Sequence, residues 1–304
     1  MEKGQLILGS EVLRNGPVYR GIMELLARFG YLSIQEVKYG FDLTIQTAIN
    51  RLFYLKRSGY IQTFKSQTLP PEFYCLTRQG REVVQAFTVS NWINHFVPSQ
   101  YNVIFQEHTR SVIKTNLALR KILGADYKDW VGEDLLKQNV AYEASQYYWK
   151  KKNRVLDGEL YLQIHKTRYK RTEAGDLEAT GEVSRETWKC GIEVELSSKS
   201  LKRYRQQFEV LRRQVYEPFA EEQLYPMMIF LCGSQTIRDN LLKAYQDFSK
   251  EFGNCIFYFG LVDEVLQKLK EAPLLKVISG ESQVVKAGEL NHVSVRIAEA
   301  AKVA

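Results

Sequence analysis

The sequence predicts an α+β or α/β chain with a helix-rich N-terminal part and a strand-rich C-terminal part, the latter a mixed sheet flanked by helices. Three observations predict it. Before about residue 90, apolar residues recur at helical spacing in short segments with capping residues at their starts. Beyond that point, apolar residues alternate or run together in short stretches, as strands require. The length, 304 residues, exceeds the roughly 100–200 residues of one ordinary domain.

The elements follow in order. Val18–Phe29 places Ile22, Leu25, Leu26 and Phe29 on one helical face, and Gly30 fits its end. Ser33 heads a second short helix with Glu36 three residues on, a capping-box pattern. Thr44 starts a third helix that ends at Gly59. Two β-like runs, Tyr60–Phe64 and Glu72–Leu76, flank the polar turn KSQTLPP, and Thr77 caps a fourth helix. Three helices followed by a hairpin is the order of a winged helix-turn-helix. Thr44, Gln46, Thr47, Asn50 and Arg51 on the third helix are then the candidate DNA-binding side chains, able to reach base edges or phosphates.

Ser90–Gln106 reads as a connector, and Glu107–Gly124 as a long helix. DYKDWVGEDLLKQ is expected as a further helix or turn. Val155–Gln163 and Trp188–Leu196 alternate like strands, with a charged loop, Lys166–Ser184, between them. A basic helix, Ser198–Tyr216, precedes two strongly apolar strands, Pro226–Cys232 and Cys255–Leu261, which bracket a helix, Gln235–Phe252. The expected domains are 1–90, 91–280 and a peripheral C-terminal extension, 281–304.

Composition narrows the function classes. Lys and Arg number 42 against 35 Asp and Glu, a net charge of +7, which suits a polyanionic partner. No apolar run reaches the roughly 18 residues of a membrane span. The four cysteines, Cys75, Cys190, Cys232 and Cys255, lack C-x-x-C spacing and read as buried thiols of a cytoplasmic protein. The sequence contains no G-x-x-x-x-G-K-[ST], G-x-G-x-x-G or G-x-S-x-G, and its histidines fall in no metal-binding spacing.

The chemical signal lies in carboxylates. Asp157 sits in the strand-turn RVLDGEL, and Glu193 and Glu195 lie two apart in GIEVELSSK. Alternate side chains of a strand share a face, so the two glutamates project together, and Ile192, Val194 and Leu196 turn the other way into a core. Adjacent acids on an apolar strand repel unless a cation relieves them. Asp157, Glu193 and Glu195 are therefore candidate ligands of Mg²⁺ or Mn²⁺, which prefer carboxylate oxygen. Bases surround these acids. Lys150–Arg171 holds 8 Lys and Arg, and Ser198–Arg213 holds 6, including Lys202, Arg203 and Arg205 as candidate DNA-phosphate contacts.

The ordered motifs resemble a known family. An Asp strand-turn, a charged segment, a Glu-x-Glu strand and a basic helix resemble the PD-(D/E)XK restriction-endonuclease-like core. Together with RLFYLKRSGY, YCLTRQG and IEVELSSKSLKRY, the pattern resembles the replication-relaxation family, which includes MobC-type relaxases of mobilisable elements. The resemblance implies a metal-dependent enzyme that nicks one DNA strand at an origin of transfer, with water as nucleophile and accessory mobilisation or coupling proteins as partners. It makes Asp157 the motif's Asp, Glu193 its second acid, and Glu195 the occupant of the usual Lys position. It further implies Glu133 as an upstream acid in the preceding helix and Lys199 as a contact to the scissile phosphate. A non-catalytic DNA-binding regulator and a restriction-type endonuclease are the alternative expectations.

Overall fold

A computed structural model describes residues 16–64, 73–87, 106–133, 136, 156–171, 177–215, 225–252, 255–278 and 280–296. The chain forms two compact units: Met1–Leu117 with Val131–Asn139, and Ala118–Trp130 with Val140–Ala304.

The first unit contains α1 (Pro17–Phe29), β1 (Leu32–Ser33), α2 (Ile34–Gly40), α3 (Ile45–Arg57), β2 (Ile61–Phe64), β3 (Phe73–Leu76) and α4 (Arg78–Phe87). Its antiparallel sheet has the order β1-β3-β2. Gly30 ends α1 at φ 81, a conformation that side chains with a Cβ rarely take. Ser33 and Glu36 make the expected capping box, and buried Glu36 is also bonded by Arg110 Nε at 2.9 Å. Thr77 Oγ1 accepts from the Gly80 N–H at 3.0 Å, which starts α4. Gly80 is obligatory there, because a Cβ would lie 2.0 Å from the Tyr60 carbonyl oxygen. The expected turn KSQTLPP falls outside the described residues.

A long helix, α5 (Gln106–Leu123), is followed by β4 (Tyr127–Gly132), β5 (Gly158–Arg171), β6 (Leu177–Glu195) and α6 (Leu201–Val215). Then come β7 (Met227–Cys232), α7 (Gln235–Gln246), β8 (Ile256–Leu261), α8 (Val262–Lys268), β9 (Pro273–Ile278), β10 (Glu281–Lys286) and β11 (His292–Arg296). An eight-stranded mixed sheet has the order β10-β9-β8-β7-β6-β5-β11, with β4 also paired to β5. β6, β7 and β8 run parallel; the paired end of β6 (190–195), all of β7 and nearly all of β8 are buried, as strands covered on both faces require. Helix α6 buries Tyr204, Phe208 and Leu211 at helical spacing. Phe208 meets Phe230, Tyr245, Phe252 and Phe257 with ring centroids 5.6–6.3 Å apart, so α6 and α7 cover one face of this sheet.

The structure differs from the sequence reading at three places. Tyr127–Gly132 is a strand rather than a helix or turn; its Trp130 packs so closely over Gly158 that a Cβ would lie 2.2 Å from the ring. Lys166–Ser184 is no loop, for β5 and β6 stay paired out to Arg171 and Leu177, with one register shift between Thr167 and Tyr169. Main-chain pairing carries this hairpin through a run rich in Lys, Arg and Glu. Residues expected as a peripheral extension supply β10, paired to β9, and β11, paired parallel to β5.

Candidate functional site

The acidic centre forms where β5 begins and β6 ends. Gly158 pairs with Ile192, so Asp157, just before that pair, and Glu193, just after it, stand at neighbouring positions on adjoining strands. Asp157 Oδ2 accepts a 2.6 Å hydrogen bond from the Val194 N–H. Asp157 is 9% exposed, Glu193 2% and Glu195 5%, so these carboxylates are withdrawn from bulk water. The strand is buried on both faces from Gly191 to Glu195, and only Leu196, expected in the core, is half-exposed.

Glu195 closes the strand and is held from several sides. Its carbonyl accepts from the Gly233 N–H at 2.8 Å, Ser197 Oγ donates to its Oε1 at 3.4 Å, and its Oε2 pairs with Lys199 Nζ. Lys199 is thus fixed beside Glu195. The Tyr204 hydroxyl accepts from the Lys199 N–H at 3.1 Å and donates to the Ser197 carbonyl at 3.4 Å, which ties down this turn. Burial, and then the Glu195 carboxylate, push the Tyr204 phenol up, while the Lys199 N–H pulls it down. Tyr204 is a fully buried core residue that ties this turn to α6. Burial and then the charge of Glu195 likewise push the Cys232 thiol to about 12.

A second buried acid lies alongside. Glu159 is 7% exposed; it pairs with Tyr225 OH, receives Tyr161 OH at 3.3 Å and faces Lys189 Nζ at 3.4 Å. Lys189 also stands 4.7 Å over the Tyr225 ring. Burial and then the charge of Glu159 push Tyr161 up to about 12. The sequence reading missed this set. The period of β5 aligns Glu159 with Tyr161, and the register brings Lys189 opposite Tyr161, but no sequence signal marks Tyr225.

Glu133 is helical and directly follows the end of β4; it belongs to the first unit, whereas Asp157 belongs to the second. On α6, Lys202, Arg203 and Arg205 are exposed, and Arg205 Nε pairs with Asp247 at 2.5 Å. On α3, the five expected DNA contacts divide. Thr44 Oγ1 accepts from the Thr47 N–H at 3.2 Å and meets Thr47 Oγ1 at 2.8 Å, so both serve the helix start. Arg51 donates to Tyr19 OH at 2.7 Å and lies 4.7 Å over that ring. Gln46 and Asn50 remain exposed.

Among the described residues, no group of three His, Cys, Asp or Glu side chains is gathered closely enough to hold a metal by itself. Asp157 and Glu193 nevertheless present the donor chemistry of a hard cation. Mg²⁺ is commonly bound by one or two carboxylates and keeps several waters. No described helix is long and apolar enough to cross a membrane. Compared with known proteins, the chain finds no counterpart: no family model matches it, and no curated protein or solved structure matches it significantly.

Proposed function

We propose that the chain is a divalent-metal-dependent DNA endonuclease that nicks one strand at an origin-type site, as its resemblance to the replication-relaxation family implies. The observation that carries the reading is the burial of Asp157, Glu193 and Glu195 on one strand pair, with Lys199 paired to Glu195. In this reading the first unit, whose helix–strand order supports a winged helix, binds duplex DNA. The second unit, read as a PD-(D/E)XK-like domain, cuts it.

Asp157 and Glu193 would hold Mg²⁺ or Mn²⁺, and Glu195 adds negative charge that Lys199 balances. The cation, when bound, activates water and stabilises the leaving oxygen of a phosphodiester. Val194 fixes Asp157 through its N–H, so the acid needs little reorganisation. Lys202 and Arg203 grip neighbouring phosphates from the exposed side of α6. Buried, protonated Tyr204 supports the turn, and water is the nucleophile.

Supercoiled plasmid carrying the cognate origin, incubated with the protein and Mg²⁺, tests this reading. Open-circle product is expected. Linear product indicates a restriction-type enzyme instead, and cleavage that persists in EDTA or a covalent phosphotyrosine adduct refutes the mechanism. One observation favours a second reading, a DNA-binding regulator without catalysis: Glu195 is already neutralised by Lys199, and no three-acid group is formed among the described residues. Intact plasmid despite tight origin binding identifies that alternative.

A further inference from the structure

Helix α3 carries two apolar faces where a small domain needs one. Ala48, Leu52 and Leu55 are buried, yet Ile45, Ile49 and Phe53 stand 49%, 36% and 63% exposed. These three lie four residues apart and so form one outward stripe. They are three of the four exposed large hydrophobic residues among those described.

The stripe is bordered by two carboxamides. Gln46 Nε2 donates to Asn50 Oδ1 at 3.1 Å. That bond leaves a carbonyl acceptor, Gln46 Oε1, and an N–H donor, Asn50 Nδ2, for an outside partner. The helix contains no carboxylate, and Lys56 and Arg57 occupy its last turn. An apolar stripe beside one donor and one acceptor, without negative charge, matches the major-groove edge of an A·T pair. Adenine offers N7 as acceptor and N6 as donor, and thymine projects a C5-methyl group. Guanine offers two acceptors, so its O6 would oppose Gln46 Oε1, and cytosine offers no methyl.

We propose that α3 reads A·T base pairs in the major groove. Gln46 and Asn50 together take an adenine edge, and Ile45, Ile49 and Phe53 cover thymine methyl groups. This rests on the DNA-binding reading above and adds which bases are read. Residues near the N-terminus of a recognition helix make such base contacts in other helix-turn-helix proteins, and Ile45, Gln46, Ile49 and Asn50 fill the first two turns.

The full chain is tested by selection from a randomised duplex library, then by fluorescence anisotropy with the selected duplex. An A·T-rich core is expected. Replacing a contacted thymine by deoxyuridine should weaken binding about three- to four-fold, and replacing a contacted adenine by guanine roughly ten-fold or more. Ile49→Ala should erase the thymine–deoxyuridine difference and Asn50→Ala the adenine preference. Both side chains are exposed, so both variants should fold and melt near the parent temperature. Duplex binding without A·T preference, or indifferent to deoxyuridine, overturns this inference and leaves the DNA-binding reading standing. Absence of binding to any duplex overturns both. If Phe53→Ala abolishes self-association in sedimentation and leaves DNA selectivity intact, the stripe is a protein interface and the inference fails.

Discussion

The carboxylate of Asp157 is tied to the backbone of Val194: Oδ2 accepts that residue's N–H at 2.6 Å. The bond joins the start of β5 to the strand carrying both glutamates, so Asp157 has a structural part beside the chemical one proposed for it. Asp157→Ala removes this hydrogen bond to a carboxylate, at a cost of about 1.5–3 kcal/mol. Asp157→Asn keeps an acceptor but removes the charge. The asparagine variant should melt near the parent temperature and lose nicking about 100-fold or more. The alanine variant should lose both stability and nicking. Equal melting of the two variants would remove the structural part from Asp157.

Lys199 balances the buried Glu195 carboxylate. Lys199→Met removes that balance and leaves a buried charge that a divalent cation can relieve. The variant should be less stable than the parent in EDTA and should gain more in melting temperature from Mg²⁺, because a ligand of the native state stabilises it by mass action. Equal Mg²⁺ responses in variant and parent would separate Lys199 from the cation site.

Lys202 and Arg203 are exposed on α6, on the side away from buried Tyr204 and Phe208. Replacing both by Ala should lower the slope of log affinity against log salt by about one unit per lost phosphate contact. Binding to all sequences should weaken alike. An unchanged slope would leave α6 without a part in DNA binding.

All four cysteines are buried as free thiols. Burial raises each, Cys232 to about 12. A thiol raised on folding contributes stability that is complete below its unfolded value, about 8.5, and is lost as pH climbs toward the folded value. At pH 8 the native protein should therefore react slowly with a thiol reagent, and denaturant should release all four thiols. The unfolding midpoint should fall between about pH 8.5 and 12, and a Cys232→Ala variant should fall less steeply. Rapid native labelling would contradict this burial.

The helices of the first unit were legible because their ends carry local chemistry: Gly30, the Ser33–Glu36 box, Thr44 and Thr77 each act within a few residues. Asp157, Glu193 and Glu195 were legible from strand period and charge. What period could not give was the environment of the second face. Val194 and Glu193 are both buried, because the parallel strands are covered on both sides. Nor could it place Arg51 against Tyr19, or Tyr225 on Glu159, since both contacts join residues far apart in the chain. The long β5–β6 hairpin was hidden because charged residues crowd its outer half, from Lys166 to Arg171 and at Glu178, Glu182 and Glu186.

The parallel docking of β11 on β5 bears on how the chain reaches its native state. His292 pairs with His165, and the His165 N–H donates to the Asn291 carbonyl at 2.7 Å. During synthesis, β5 emerges well before the strand that completes this part of its edge. Until then a row of amide and carbonyl groups stands open to any extended segment nearby. Such distant pairing slows folding and lengthens exposure to misassembly. A chain halted before His292 should thus fold its β6–β8 core yet aggregate through the open side of β5, with the closing strand acting as the guard of that edge.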